Sequence, residues 1–343
     1  MKESKIVKAQ TLGDWAYLAI EQHSEKTFEY ESDVLKDRDP EALHQMRVGM
    51  RRLRSAVTGF AVALNLPKAA EEEKIAKIAR QLGMLRDLDV LLETLERDCK
   101  PALPAAEQDA LETAVKYLRK DRRKVLQVVQ TALKHNRYKK LKQAFKDWLK
   151  QPAYQEIAQM PIQDVLPDLL LPQVSRLFLH AGWLVTDKLE ETEIPVPEEF
   201  QYKVLNRELS AHGPVLHSLR KQVKRVRYQM NLFSDLYGPT YDAYVKDMKA
   251  IQEVLGEMQD SVVLEEVLKE TLESEIESSL PALAEHIGKT RQKAWQQWKP
   301  LQERYLNPAV RQAFHLQLLQ PLPQGAISQV ATHGESADTA IDI

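Results

Sequence analysis

The stretch LHQMRVGMRRLRSAVTGF, residues Leu43–Phe60, decides the fold, because the chain contains a second version of it. The second version is LHSLRKQVKRVRYQMNLF, residues Leu216–Phe233. Both carry apolar residues every three or four positions, which is typical of a helix with one buried face. These residues are Leu43, Met46, Met50, Leu53, Val57 and Phe60, then Leu216, Leu219, Val223, Val226, Met230 and Phe233. We therefore predict one amphipathic helix for each version.

A row of basic residues borders the apolar face of each predicted helix. The first row is His44, Arg47, Arg51 and Arg54, and the second is His217, Arg220, Lys224 and Arg227. Neither stretch contains a carboxylate, so these charges have no partner within their own helix. Each row extends about 15 Å along a helix and can contact several consecutive anionic groups.

The composition predicts an intracellular helical protein. The 343 residues include only 11 glycines, and 43% of them are hydrophobic, which is enough to bury a core and favours helices. The single cysteine, Cys99, excludes an internal disulfide framework and a thiolate metal cluster. No stretch resembles a signal peptide or a membrane span, so we expect a soluble, cytoplasmic protein.

Acidic and basic residues are segregated along the chain, although the formal net charge is only −2. The segment Lys116–Lys150 has thirteen basic residues against two acidic ones. A local positive field captures a polyanion even when the total charge is near zero. Solvated helix faces remain the simpler explanation for most of this segment, including Lys139 and Lys142.

The similarity between the two stretches extends over most of the chain. An offset of 173 residues relates Leu82-Gly83 to Leu255-Gly256 and Asp87 to Asp260, and an offset of 169 relates Arg122 to Arg291. No stretch alternates with the period of a β-strand. We predict an all-α fold with a two-fold internal repeat of antiparallel four- or five-helix bundles. The predicted halves are residues 10–160 and 161–320, followed by a disordered tail, 321–343.

Prolines mark the predicted helix boundaries. Asp39-Pro40 starts the first basic helix, with Asp39 as the N-cap. Pro152, Pro161, Pro167 and Pro172 predict a packed connection between the halves, with helix resuming at Val174. Gly213-Pro214 predicts the start of the second basic helix.

The duplicated pattern resembles a known family. HQMRVGMRRLRSAVTGF followed by LGMLRDLDVLLETL, and HSLRKQVKRVRYQMNLF followed by LGEMQD, are similar to the CHAD domain, the conserved histidine α-helical domain. The resemblance covers roughly residues 10 to 320. It implies two helical bundles around a basic central pore or groove that binds inorganic polyphosphate, and a location at polyphosphate granules.

The resemblance also implies which residues contact polyphosphate. These are His44, Arg47, Arg51, Arg54, His217, Arg220, Lys224 and Arg227, with Arg122 and Arg291 added by their wheel positions inside apolar stripes. We interpret Arg52 and Arg225 as salt-bridge partners of Asp87 or Asp260, with Arg86 and Asp89 in the same network. A lone histidine beside an apolar face is more often a core residue, but the repeated His-x-x-Arg pair favours ligand contact.

We predict a non-catalytic binding module with no cofactor and no metal, whose partner is inorganic polyphosphate and, through it, proteins of polyphosphate granules. Many relatives carry an ExExK strand motif for triphosphatase activity; the most similar string here, Glu191-Thr-Glu193, lacks the lysine. A nucleic-acid-binding protein is the alternative, although Tyr228 is the only aromatic residue within reach for stacking on bases. An enzyme acting on phosphate is the third hypothesis. No membrane partner is expected.

Overall fold

The computed structural model describes residues 9–185 and 198–323, with the backbone alone from 198 to 210. These residues form twelve α-helices and no strand, which confirms the all-α class. The helices are α1 Leu12–Glu29, α2 Glu31–Lys36, α3 Pro40–Gly59, α4 Glu72–Glu93, α5 Ala105–Lys134, α6 Asn136–Lys150, α7 Ile162–Phe178, α8 Glu198–Asn231, α9 Pro239–Leu272, α10 Ile276–Ser279, α11 Pro281–Leu306 and α12 Pro308–Leu318. The internal repeat stays a prediction.

The helix starts follow local sequence signals. Thr11 and Asp14 form a reciprocal capping box at the start of α1. Asp39 caps α3 as predicted, because its carboxylate accepts a hydrogen bond of 2.8 Å from the backbone N–H of Glu41. Pro239, Pro281 and Pro308 begin α9, α11 and α12, where a missing backbone N–H costs nothing.

Two of the predicted boundaries are wrong, because helices continue through prolines. Helix α7 begins at Ile162 rather than Val174 and includes Pro167 and Pro172. Helix α8 begins at Glu198, so Pro214 lies within it rather than at its start. A proline inside a helix removes one backbone hydrogen bond and bends the axis. In α7 this loss is offset by a fully buried apolar face that includes Leu166 and Leu177.

The predicted apolar faces are confirmed. All twelve apolar residues of the two opening stretches are at most 5% exposed. They belong to one large core to which most helices of both halves contribute. Burying an apolar side chain of this size stabilises the fold by roughly 1.5–3 kcal/mol, so this core fixes how α3 and α8 lie relative to their neighbours.

Helices α3 and α8 cross near their C-terminal ends. A Cβ atom at Gly59 would overlap the side-chain ends of Gln229 and Leu232, so a larger residue would force these side chains to shift. The Gln229 amide donates to the carbonyl of Ser55 at 3.1 Å and to the hydroxyl of Thr58 at 2.9 Å. The Phe60 and Phe233 rings meet edge to face at 5.3 Å. This crossing joins the two halves beside the basic rows.

A second contact between the halves lies at the far ends of the long helices. Leu92, Leu95, Leu111 and Leu118 of the first half pack in one apolar cluster with residues of α9 and α11. The Glu107 carboxylate accepts hydrogen bonds from the backbone N–H groups of Ala282 and Leu283 at 3.0 and 3.3 Å, and so caps α11 across this contact. The α3–α8 crossing and this apolar cluster are therefore two separate contacts between the predicted halves.

Some of the predictions lie outside the described residues. They are the interruption of the helical pattern that Pro195 and Pro197 predict, the Glu191-Thr-Glu193 string and nearly all of the predicted tail, 321–343. Among the helices that are described, none combines the length and the apolar character needed to cross a membrane.

Candidate functional site

The arginines of α3 extend from the edge of its apolar face towards two neighbouring helices, α4 and α8. Arg47 lies beside Asp87 of α4, with 3.7 Å between the guanidinium nitrogen and the carboxylate oxygen. The guanidinium carbon of Arg51 lies 4.4 Å from the centre of the Tyr228 ring on α8. Arg54 forms an ion pair of 2.5 Å with Glu72 at the start of α4. The three arginines therefore have different partners although they share one helix face.

The basic row of α8 has corresponding contacts. Arg220 lies 3.8 Å from the Asp260 carboxylate on α9, in the way that Arg47 lies beside Asp87. Arg227 is buried, and its guanidinium carbon lies 4.7 Å from the centre of the Tyr228 ring. Tyr228 therefore contacts one arginine from each basic row. Its ring is a cation–π partner shared by the two halves.

Lys224 shows that the two rows converge. Burial, together with the nearby charges of Arg47, Arg51 and Arg220, lowers the pKa of its amine to about 8, against an opposing effect of Asp87. Two of these arginines belong to α3, more than 170 positions earlier in the sequence. Cations held this close repel one another, and an anion placed among them would relieve the repulsion.

Glycines on α4 and α9 lie beside two of the arginines, and the one on α9 makes room for Arg220. A Cβ atom at Gly256 would lie 3.1 and 3.2 Å from guanidinium nitrogens of Arg220. At Gly83 the corresponding atom would lie 3.8 Å from Arg47, which is an ordinary contact. The guanidinium of Arg220 therefore lies against the backbone of α9, and Gly256 fixes its position. The repeated Leu-Gly pair at the 173-residue offset was the sequence signal for this role.

Two carboxylates, Asp87 and Asp260, occupy corresponding places beside the two basic rows. Both side chains are 72% exposed. Their ion pairs are with Arg47 and Arg220, so the assignment of these carboxylates to Arg52 and Arg225 was wrong. The wheel position of an arginine fixes its face but not how far its long side chain reaches along the neighbouring helix. Asp89 does not join them either, since it pairs with Arg122 at 2.5 Å.

Both histidines of the rows have lowered pKa values. Burial lowers the pKa of His44 most, Glu41 opposes this, and Arg86, Arg47 and Arg51 lower it further. Burial also lowers the pKa of His217, and the charges of Lys221 and Arg220 add to the effect. Each imidazole is therefore mostly neutral at pH 7 and can donate one N–H to an anion.

Arg122 and Arg291 lie apart from this cluster and are held by acidic residues. Arg122 donates two hydrogen bonds of 2.8 Å to Asp37 and one of 2.5 Å to Asp89. Arg291 is 6% exposed, donates to the hydroxyl of Ser261 at 2.8 Å and forms an ion pair with Glu265. Both lie inside the apolar stripes, as predicted. Their contact with a ligand stays a prediction.

Other chemistry-bearing groups lie outside the cluster. Within 9–185 and 198–323, no group of three histidine, cysteine, aspartate or glutamate residues could hold a metal ion. Cys99 is buried in the far apolar cluster, and burial raises the pKa of its thiol. Lys142 is not on a solvated face as predicted, because its amine pairs with Glu31 and lies 5.6 Å from the Tyr138 ring centre. Lys139 is exposed, as predicted.

Comparisons with known proteins agree with this architecture. The crystal structure of the CHAD domain from the plant Ricinus communis is similar at 24% identity and a TM-score of 0.52, over 91% of this chain and 94% of that one. PptA from Streptomyces chartreusis is similar at 15% identity and a TM-score of 0.55, over 91% of this chain and 100% of that one. Among proteins with curated descriptions, none matches the chain. The family model of the CHAD domain matches residues 18–269, and the chain therefore belongs to the CHAD domain family, a family linked to polyphosphate binding.

Proposed function

We propose that this protein binds inorganic polyphosphate, without catalysing a reaction, in the space between the basic rows of α3 and α8. The observation that carries the proposal is the convergence of the two rows, because Arg51 of α3 and Arg227 of α8 contact the same Tyr228 ring and the charges of Arg47, Arg51 and Arg220 act on Lys224. A linear polyphosphate has about one negative charge per phosphate and no base or carbon skeleton to recognise. Its affinity must come from several cationic contacts and from the release of condensed counterions.

The positions of two contacts between the predicted halves support a pore or groove here. The α3–α8 crossing lies at one end, at Gly59 and Gln229, and the apolar cluster of the long helices lies at the other. The basic rows and Asp260 lie between them. Surrounding protein atoms raise the pKa of the Asp260 carboxyl although water reaches most of its side chain. This combination supports the proposal that Asp260 faces a water-filled concavity.

The proposed contacts follow from the chemistry of each side chain. Arg47, Arg51 and Arg220 offer planar forks that can bind two phosphate oxygens, and Lys224 offers a point charge between them. His44 and His217 donate one N–H each. Arg54 and Arg227 are placed at the ends of the rows. Arg122 and Arg291 belong to the site by prediction alone, since carboxylates already compensate their charges.

Nucleic acid is the weaker candidate for the same surface. Binding of single strands commonly uses aromatic rings on which bases stack. The Tyr228 ring has guanidinium groups of Arg51 and Arg227 within 4.7 Å of its centre. These contacts occupy the ring, which favours a ligand that needs only charge. The proposal includes a cytoplasmic location at polyphosphate granules, which a fluorescent fusion co-stained for polyphosphate would test.

The test is a titration with fluorescently labelled long-chain polyphosphate at low and high salt. Affinity should fall steeply with salt, and affinity that does not change with salt would contradict the mechanism. Arg47→Gln with Arg51→Gln, and Arg220→Gln with Lys224→Gln, should each weaken binding by about tenfold or more and reduce the salt slope by about two. The matched control, Lys139→Gln with Lys146→Gln, removes two exposed lysine charges elsewhere and should change affinity by less than about threefold.

Three outcomes would overturn the proposal. Loss of binding in one pair of variants with none in the other would exclude a site shared by the two halves. Displacement of polyphosphate by RNA or duplex DNA at equal phosphate concentration would favour the nucleic-acid function. Release of orthophosphate from polyphosphate in the presence of Mg²⁺, abolished by a single substitution, would show an enzyme.

A further inference from the structure

Two carboxylates occupy equivalent places within the proposed binding site. Asp87 follows Gly83 by one helical turn on α4, and Asp260 follows Gly256 by one turn on α9. Each lies beside the arginine that its glycine contacts, at 3.7 Å from Arg47 and 3.8 Å from Arg220. Both distances exceed the 2.7–3.2 Å of a hydrogen bond. These are loose ion pairs in an accessible position.

The two carboxylates also belong to one electrostatic cluster. The charge of Asp87 raises the pKa of Asp260, although the residues belong to different halves. The charge of Asp87 opposes the lowering of the Lys224 pKa, and the charge of Lys224 lowers the pKa of Asp260. Acids on a surface that binds an anion oppose that binding by simple repulsion. Their presence at both equivalent positions therefore calls for a physical explanation.

We propose that Asp87 and Asp260 are placeholder anions, which partly neutralise the basic rows in the empty site and are displaced from Arg47 and Arg220 when phosphates bind. This inference rests on the proposed function. Without the carboxylates, Arg47, Arg51, Arg220 and Lys224 would repel one another across the α3–α8 contact. Exposed ion pairs contribute only about 0–1 kcal/mol each, so a phosphate that binds an arginine at both oxygens can replace them.

The displacement favours ligands with many phosphates over ligands with few. The two carboxylates are displaced once per bound chain, whereas the favourable contacts increase with the number of phosphates along the rows. A long chain therefore exceeds this fixed cost, and orthophosphate, which can engage one or two arginines, gains little. The placeholder carboxylates would keep the site from being filled by single phosphate ions.

The experiment removes the two charges with Asp87→Asn and Asp260→Asn, which preserve the side-chain shape. Binding of tripolyphosphate and of long-chain polyphosphate is measured by titration, and the melting temperature of the ligand-free protein is measured at low salt. The control, Asp164→Asn with Asp168→Asn, removes two exposed carboxylates from α7 and makes the same change in net charge. The two single variants report on the same effect if the double variant does not fold.

The double variant should bind both polymers about tenfold more tightly, with the control within about twofold of the wild type. Its ligand-free melting temperature should fall by about 2 °C or more relative to the control. Unchanged or weaker binding, or an unchanged melting temperature, would overturn the placeholder role. If the wild type binds no polyphosphate, the proposed function fails, and the ligand-free melting temperature alone then decides whether the carboxylates neutralise the rows.

Discussion

The guanidinium carbon of Arg51 on α3 lies 4.4 Å from the centre of the Tyr228 ring on α8, and this contact joins the first basic row to the second. Arg227 lies 4.7 Å from the centre of the same ring. A ring shared by two cations can hold both in place. Tyr228 is therefore a positioning residue for the site.

Replacing this ring should weaken binding without unfolding the protein. We expect Tyr228→Leu to weaken polyphosphate binding about three- to tenfold, because a cation–π contact is worth roughly 0.5–2 kcal/mol. Tyr228→Phe keeps the ring and should bind like the wild type. Equal losses in both variants would instead assign the effect to the hydroxyl group. Titration alongside circular dichroism measures both quantities.

Lys224 predicts a specific dependence of binding on pH. The pKa of its amine is about 8 in the ligand-free protein, below the ordinary 10.5, and a bound polyanion favours the charged form and raises the pKa. Binding should therefore take up protons near pH 9, and affinity should fall by up to about tenfold per pH unit above pH 8. Calorimetry in two buffers of different ionisation enthalpy measures this uptake. Lys224→Arg keeps the charge and should abolish the uptake.

The Lys224 amine should make folding stability rise with pH, whereas it makes the affinity for polyphosphate fall. Because the pKa is lower in the folded than in the unfolded protein, the folded state holds fewer protons between pH 8 and 10.5. The contribution of Lys224 to the free energy of unfolding is therefore least favourable below pH 8 and improves as the pH rises through this range. Thermal unfolding of the wild type and of Lys224→Met from pH 7 to 10 should converge as the amine loses its proton.

The two glycines of the Leu-Gly pairs should respond differently to alanine. Gly256→Ala introduces a Cβ atom 3.1 Å from a nitrogen of Arg220 and should displace that guanidinium, which weakens binding several-fold. Alanine also raises helix stability by up to about 1 kcal/mol, so the melting temperature should not fall. Gly83→Ala meets Arg47 at 3.8 Å and is the matched control, with little change in affinity. Equal effects in both variants would contradict the role of Gly256.

A substitution of Arg122 tests whether this predicted site residue stabilises the fold or contacts the ligand. Removing the Arg122 guanidinium takes two hydrogen bonds from the Asp37 carboxylate and one from the Asp89 carboxylate. The Asp89 side chain is only 7% exposed, so its charge would be left buried without this partner. We expect Arg122→Gln to lower the free energy of unfolding by about 3 kcal/mol while the folded protein keeps its affinity for polyphosphate. A loss of affinity at unchanged stability would instead place Arg122 in contact with the ligand.

The sequence by itself determined the elements and their buried faces. The twelve apolar residues of the two opening stretches are buried, and the Asp39-Pro40 start lies where it was predicted. These features were predictable because helical periodicity and capping depend on residues within a few positions of one another. Helices α7 and α8 are the exceptions. In α7, tertiary burial overrode the local tendency of Pro167 and Pro172 to end a helix, whereas α8 continues through Pro214, which is exposed.

The tertiary structure alone decided which charges meet. Lys224 lies near Arg47 and Arg51 because α3 and α8 cross at Gly59, and no local pattern specifies that crossing. Several carboxylates were candidate partners for each arginine, and distances of a few ångströms between helices selected Asp87 for Arg47 and Asp260 for Arg220. Electrostatic interactions fall with distance and depend on burial, and both quantities are set by packing between residues far apart in the chain.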